Sequence, residues 1–275
     1  MDKERLDYLK SRAKEIRKLT IEEIGTLGTG HIGGSMSIAD ILALLYFHRM
    51  NIDPARPRMR ERDQLVVSKG HAGPAVYAAL ALRGFFPVEW LTTLNQGGTR
   101  LPSHCDRNLT PGIDMTAGSL GQGFSAAMGI ALALRIDKIN ARVYSIIGDG
   151  ESDEGQVWEG AMFAASQKLS NFIAFTDYNK QQLDGFTKDI IDLGELDAKW
   201  REFGWFTQRV DGHDIAALDD AIEKAQAQNE RPSMIVMDTI KGKGCFFAEG
   251  IEKNHSMAFN MEKAKEAIAA LLAKE

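Results

Sequence analysis

The chain has 275 residues, 44% of them hydrophobic and 26% charged, enough to bury the core of one large α/β domain. A net charge of −5 with no basic run argues against nucleic acid or an anionic membrane surface as partner. Two cysteines, Cys105 and Cys245, cannot build a disulfide framework, no apolar run reaches membrane-spanning length, and the charged start does not look like a signal, so the expected place is the cytoplasm.

In chain order, Leu6, Leu9, Ala13, Ile16, Leu19 and Ile24 keep helical spacing and predict an amphipathic helix over 3–25. Ser35 or Ser37 is expected to cap a second helix running through Leu45. Residues 64–67 read as a strand, 73–83 as a helix, 99–119 as loop, and 120–135 as a helix again. The β-branched run 142–147 predicts a buried strand that opens at Gly148. A helix over 154–165 and a strand over 171–176 complete a βαβ unit. Strands at 206–210 and 234–237 flank a helix from Asp214 to about Gln228, and the last helix covers roughly 260–273. This alternation predicts one α/β domain over 1–275, a mostly parallel sheet with helices on both faces.

Asp149, within Gly148-Asp149-Gly150, and Asn179, within Asp177-Tyr178-Asn179, fall just past the carboxyl ends of consecutive strands, where open α/β sheets bind ligands. A carboxylate, an amide oxygen and the backbone carbonyl of Gln181 form an oxygen set suited to Mg²⁺ beside a diphosphate. Gly148 and Gly150 carry no Cβ to keep a phosphate away, and the following helix turns its positive end toward the anion. Gly121-Gln122-Gly123 matches the dinucleotide fingerprint only nominally, because no good strand precedes it and Asp137 closes a helix rather than a strand. Gly25 to Gly30 lacks the Gly-Lys-Ser/Thr of a P-loop.

These residues resemble the thiamine-diphosphate signature, and the surrounding words resemble transketolase: Gly30-His31-Ile32-Gly33-Gly34, Ser68-Lys69-Gly70-His71-Ala72, Thr116 to Gly123, and Gly148 to Gly155. The resemblance covers about residues 10–260 and implies the thiamine-diphosphate-binding fold, with thiamine diphosphate and Mg²⁺ (or Ca²⁺ or Mn²⁺ in its place). It implies that His71 and His255 approach the diphosphate while His31 and His104 face the sugar. Gly118 and Leu120 are implied to meet the cofactor rings, Ile240 to join the cofactor site, and Glu154 to lie at a subunit boundary. For Leu120 a core position is as natural from the residues alone, and for Glu154 an ordinary salt bridge. His48 and His213 are expected to be structural. Lys241 or Lys243 adds positive charge near the diphosphate or sits on a solvated surface.

The activity so implied is transfer of a two-carbon ketol unit from a ketose to an aldose. In the family a glutamate on a second, pyrimidine-binding domain activates the cofactor, and nothing in the chain resembles that domain. The expectation is therefore an N-terminal subunit that works with a C-terminal partner, two copies of each, on pentose phosphates or on a sulfo- or branched sugar. The rivals are the α-subunit of a 2-oxo acid dehydrogenase or decarboxylase, a relative of deoxyxylulose-phosphate synthase, and a non-catalytic cofactor-binding subunit.

Overall fold

In a computed structural model of the chain, residues 1–273 are described. Helix α1 (Lys3–Leu27) starts where the Asp2 carboxylate accepts the Arg5 amide at 2.8 Å, and it buries the stripe of Leu9, Ala13, Ile16 and Ile24. A two-residue strand β1 (Thr29–Gly30) leads to α2 (Ile32–Met36) and α3 (Ala39–Leu44), which ends in a π turn over Leu45–Arg49.

The predicted serine cap is corrected here. Ser35 Oγ donates to the His31 carbonyl at 2.6 Å, and Ser37 Oγ donates to Asp177 and to the Gly34 carbonyl. Neither hydroxyl accepts a helix-start amide, so the single expected helix is two short ones joined by a turn.

Next come β2 (Gln64–Val67) and α4 (Gly73–Arg83), then α5 (Gln122–Ile136), which starts two residues later than expected. The delay has a backbone cause: Gly121 sits at φ +79°, outside the helical region. After β3 (Val143–Gly148), a 3₁₀ turn over Gly150–Asp153 precedes α6 (Gly155–Ser166) and β4 (Phe172–Tyr178). The remainder is α7 (Thr187–Ile190), α8 (Leu196–Glu202), β5 (Phe206–Asp211), α9 (Ile215–Ala227), β6 (Ser233–Asp238), β7 (Met257–Ala258) and α10 (Met261–Ala273).

Five strands pair in the order β2-β3-β4-β6-β5, all parallel. Alternate side chains feed two cores, as strand geometry requires. Tyr144, Ile146, Ile173, Phe175, Ile235 and Met237 pack with α1, α3, α4 and α9. Val143, Ile147, Phe172, Ala174, Met234 and Val236 pack with α5, α6, Trp200 and Trp205. The chain moves outward from β2 to β5 and then steps back to β6, so a right-handed crossover puts α9 on the opposite face from α6. That reversal opens a crevice beyond the carboxyl ends of β4 and β6.

Candidate active site

The register Gly148↔Asp177 and Tyr178↔Asp238 sets the ends of β3, β4 and β6 level, and Asp149 and Asn179 follow directly. They share a cavity of about 250 Å³ with His31, His71, His104 and His255. Of the other expected positions, Gly118, Leu120, Gly148, Gly150 and Gln181 also line it. Two do not. Glu154 is exposed just before α6, and Ile240 lines a neighbouring cavity with Tyr178 and Lys180.

Asp149 is buried, and its carboxylate accepts the Gly150 amide at 2.8 Å and the Lys180 amide at short range. Lys180 adopts φ +66°, a left-handed turn that aims its N–H at the carboxylate. Burial first, and the Asp177 charge second, push the Asp149 carboxyl up to about 7. Asn179 Nδ2 donates to Asp177 at 2.9 Å, and Asn179 Oδ1 accepts the Gln181 amide at 3.1 Å. The Gln181 carbonyl faces Lys241 Nζ at 3.4 Å, and the Gln182 carbonyl faces it at 3.2 Å. Among the described residues no cationic side chain forms a salt bridge with the buried Asp149 carboxylate, which with the Asn179 amide oxygen and the Gln181 carbonyl makes a hard-oxygen donor set. It fits Mg²⁺, Ca²⁺ or Mn²⁺.

Gly148 and Gly150 act differently. The Gly148 N–H is taken by Glu151 Oε2 at 3.0 Å, so this glycine offers space rather than a donor. At Gly150 a Cβ would lie 2.6 Å from the Gln182 Cβ, which closes the loop over Asp149 only if residue 150 lacks one.

The histidines come from four separate segments. His31 directly precedes α2, His71 lies in a 3₁₀ turn after β2, and His104 and His255 sit on loops. The short antiparallel ladder Thr29↔Ala258 and Gly30↔Met257 pins the His31 and His255 loops together. Ring centroids stand 5.3 Å apart for His31 and His255, 5.4 Å for His31 and His104, and 4.5 Å for His71 and His255. All four imidazoles titrate below the usual range, chiefly through burial. His255 falls to about 4, with the Lys241 charge as second cause, and for His71 the second cause is Lys69. Neutral rings in a cluster can donate from one nitrogen and accept at the other, which suits them to sugar hydroxyls. Among the described residues no three His, Cys, Asp or Glu side chains are arranged to hold a metal.

The lysine alternatives separate cleanly. Lys241 is 3% exposed and lines the cavity, whereas Lys243 pairs with Glu249 at 3.2 Å. His213 bridges Asp40 and the Ile240 amide, and His48 lies 3.7 Å from Asp219, so both are structural. Cys105 and Cys245 are free and buried. Three residues of the site carry roles that motif reading missed. Lys69 pairs with Asp177 at 2.6 Å, and Glu151 ties together Ser68, Gly121 and Gly148. Each stood inside a quoted motif, but apart from Gly148 the partners lie far away in sequence.

Residues 9–272 match the family described as "Transketolase, thiamine diphosphate binding domain". The chain belongs to the transketolase family. It is 57% identical over 271 residues to the "6-deoxy-6-sulfo-D-fructose transketolase subunit SqwG" of Clostridium sp. (strain MSTE9), covering 98% of each chain. It is 36% identical over 273 residues to the transketolase of Mus musculus, covering 97% of this chain and 42% of that one. Transketolase from Leishmania mexicana superposes with a TM-score of 0.89 at 30% identity, over 97% of this chain and 41% of that one. The chain thus spans about two fifths of a transketolase of that length. Transketolase kinship supports the α/β fold and thiamine diphosphate as the cofactor class. Among the described residues no helix is long and apolar enough to cross a membrane.

Proposed function

We propose that this chain is the diphosphate-binding subunit of a two-polypeptide transketolase whose donor is a sulfonated ketose. The observation that carries the reading is the cavity in which an oxygen-donor clamp and four neutral histidines face each other. Identity of 57% over 98% of both chains to a subunit named for 6-deoxy-6-sulfo-D-fructose supports the sugar class and the division into subunits.

Thiamine diphosphate, when bound, supplies the nucleophile and electron sink that a C–C bond transfer needs. The chain's own residues do the rest. Asp149, Asn179 and the Gln181 carbonyl would hold Mg²⁺, and Lys241 and Lys69 would add positive charge for the diphosphate. Gly118 and Leu120 would face the cofactor rings, and His71 and His255 the diphosphate. His31 and His104 accept and return protons at the hydroxyls of donor and acceptor sugars, a role their lowered basicity permits at neutral pH. A partner polypeptide supplies the pyrimidine-binding domain and its activating glutamate, in an assembly of two copies of each chain working in the cytoplasm.

The test is reconstitution. Purified chain, partner, Mg²⁺ and cofactor are assayed with 6-deoxy-6-sulfo-D-fructose and with fructose 6-phosphate as donors. Turnover only in the presence of the partner, with at least a tenfold higher kcat/KM for the sulfonate, is expected. Robust turnover by the chain alone, or preference for the phosphate, overturns the reading at the corresponding point.

A further inference from the structure

We propose that Asp177 is the positioning residue of the metal clamp: it holds the Asn179 side-chain amide in the one orientation that presents a carbonyl oxygen to a divalent cation. The inference rests on the reading that Asp149 and Asn179 ligate that cation.

Asp177 lies near the end of β4 with no exposed surface, and its carboxylate collects four donors. Oδ2 accepts Lys69 Nζ at 2.6 Å, Ser37 Oγ at 2.7 Å and Asn179 Nδ2 at 2.9 Å, while Oδ1 accepts Thr239 Oγ1 at short range. All four groups donate to the carboxylate, three of them to Oδ2, so it is held as an acceptor within this network. Its influence runs through what it orients.

The orientation matters because an asparagine amide is nearly symmetric in shape but opposite in charge at its two ends. A half-turn about χ2 would aim an NH₂ group at the cation and forfeit the ligand. An acceptor-only partner at 2.9 Å admits the NH₂ end alone, so the carbonyl end must face away from Asp177. The Gln181 N–H, donating to Asn179 Oδ1 at 3.1 Å, restrains the same end. Lys69 keeps Asp177 ionised, and thereby acceptor-only, in a site without water contact. Ser37 and Thr239 hold the carboxylate still from the segments after α2 and β6. The order of control is Lys69 and the hydroxyls on Asp177, Asp177 on the amide, and the amide on the cation.

The experiment follows Mn²⁺ binding by electron paramagnetic resonance, with the full chain reconstituted with its partner subunit and thiamine diphosphate, alongside thermal midpoints. Asp177→Asn gives the neighbouring amide a partner that donates as well as accepts, so the orientation is no longer enforced. Its Mn²⁺ affinity is expected to fall tenfold or more. The double variant Asp177→Asn/Asn179→Asp is expected to regain affinity to within threefold of wild type, because a carboxylate presents an oxygen whichever way it turns. Thr239→Val removes one brace of Asp177 but not the oxygen that accepts the amide, so it is expected to cost less Mn²⁺ affinity than Asp177→Asn for the same fall in thermal midpoint, and an equal loss overturns the proposal.

A double variant that folds yet binds Mn²⁺ as weakly as the single one overturns the proposal, and so does Asp177→Asn with unchanged affinity. Should Asp177→Asn alone fail to fold, the double variant still decides, since it retains one carboxylate in the network. Absence of cofactor-dependent Mn²⁺ uptake by wild type would instead sink the metal-clamp reading itself.

Discussion

The floor and the rim of the cavity are built on opposite principles. In the floor three buried ionic groups are answered: Asp177 by four donors, Glu151 by Ser68, Gly121 and Gly148, and Lys69 by Asp177 and the Gly34 carbonyl. At the rim the four imidazoles touch one another, and among the described residues no hydrogen bond holds any of the rings. A saturated network is rigid before any ligand arrives, whereas unpaired rings keep their donors and acceptors for substrate. The cavity is thus tightly hydrogen-bonded at its floor and left with free ring nitrogens at its rim.

Breaking the floor should produce the largest effect. Lys69→Met strands the Asp177 carboxylate in a dry environment, and a loss of about 3–5 kcal/mol is expected by urea unfolding, as for other buried pairs cut on one side. A change under about 1 kcal/mol would mean that Ser37, Thr239 and Asn179 suffice. Next in size, Asp149→Ala removes the anionic ligand from the proposed clamp. Calorimetric affinity for thiamine diphosphate with Mg²⁺ should drop on the order of a hundredfold, equivalent to about 2.7 kcal/mol. Because burial makes an ionised Asp149 unfavourable, the ligand-free variant should unfold at the same temperature as wild type or higher.

Rim substitutions should separate activity from stability. His104→Ala in the reconstituted enzyme is expected to lower kcat about tenfold or more, and to change folding stability by no more than about 0.5 kcal/mol. A stability loss above that, matched by loss of cofactor binding, would make the ring part of the scaffold and erase the contrast.

The smallest effect is a pH dependence in which rim and floor pull in opposite directions. His255 titrates at about 4 when folded, below its ordinary 6.5, so the unfolded chain binds more protons between those values. Its contribution to stability is intact above about 6.5 and is lost as pH falls toward 4. Asp149, at about 7 when folded against an ordinary 3.8, does the reverse: the folded state binds more protons, so stability falls as pH rises from about 4 to 7. The full shift would be worth about 2 kcal/mol between pH 6.5 and 4.5, and solvent screening of the part-exposed ring cuts this to about 1 kcal/mol, so His255→Ala should reduce the acid destabilisation by that amount in thermal melts of the ligand-free chain. An unchanged acid slope would place the relevant protons elsewhere.

Much of this could be read from local pattern. The strands at 142–147 and 171–176 announce themselves by β-branched and aromatic runs, and Asp149 and Asn179 follow those runs directly, so the clamp emerges from short-range order. The broken helix over 32–44 was not legible, because Ser37 spends its hydroxyl on Asp177, 140 residues away, instead of on a helix amide. Glu154 and Ile240 stand next to site residues in the chain yet point out of the cavity, a distinction that motif spacing does not carry. Lys241 was ambiguous for a similar reason: only the packing of the 241–255 segment shows it buried while Lys243 is spent on Glu249.

By itself the sequence determined the parallel α/β architecture, the transketolase kinship and which residues to look for at the strand ends and in the glycine-flanked loops, because each depends on periodicity or on words a few residues long. Tertiary structure alone decided which of those residues meet, which carbonyls a lysine covers, and that the Asn179 amide donates to Asp177. The reason is physical. Hydrogen-bond saturation and desolvation are properties of a three-dimensional neighbourhood, and here that neighbourhood draws on segments as far apart in the chain as Ser37 and Thr239.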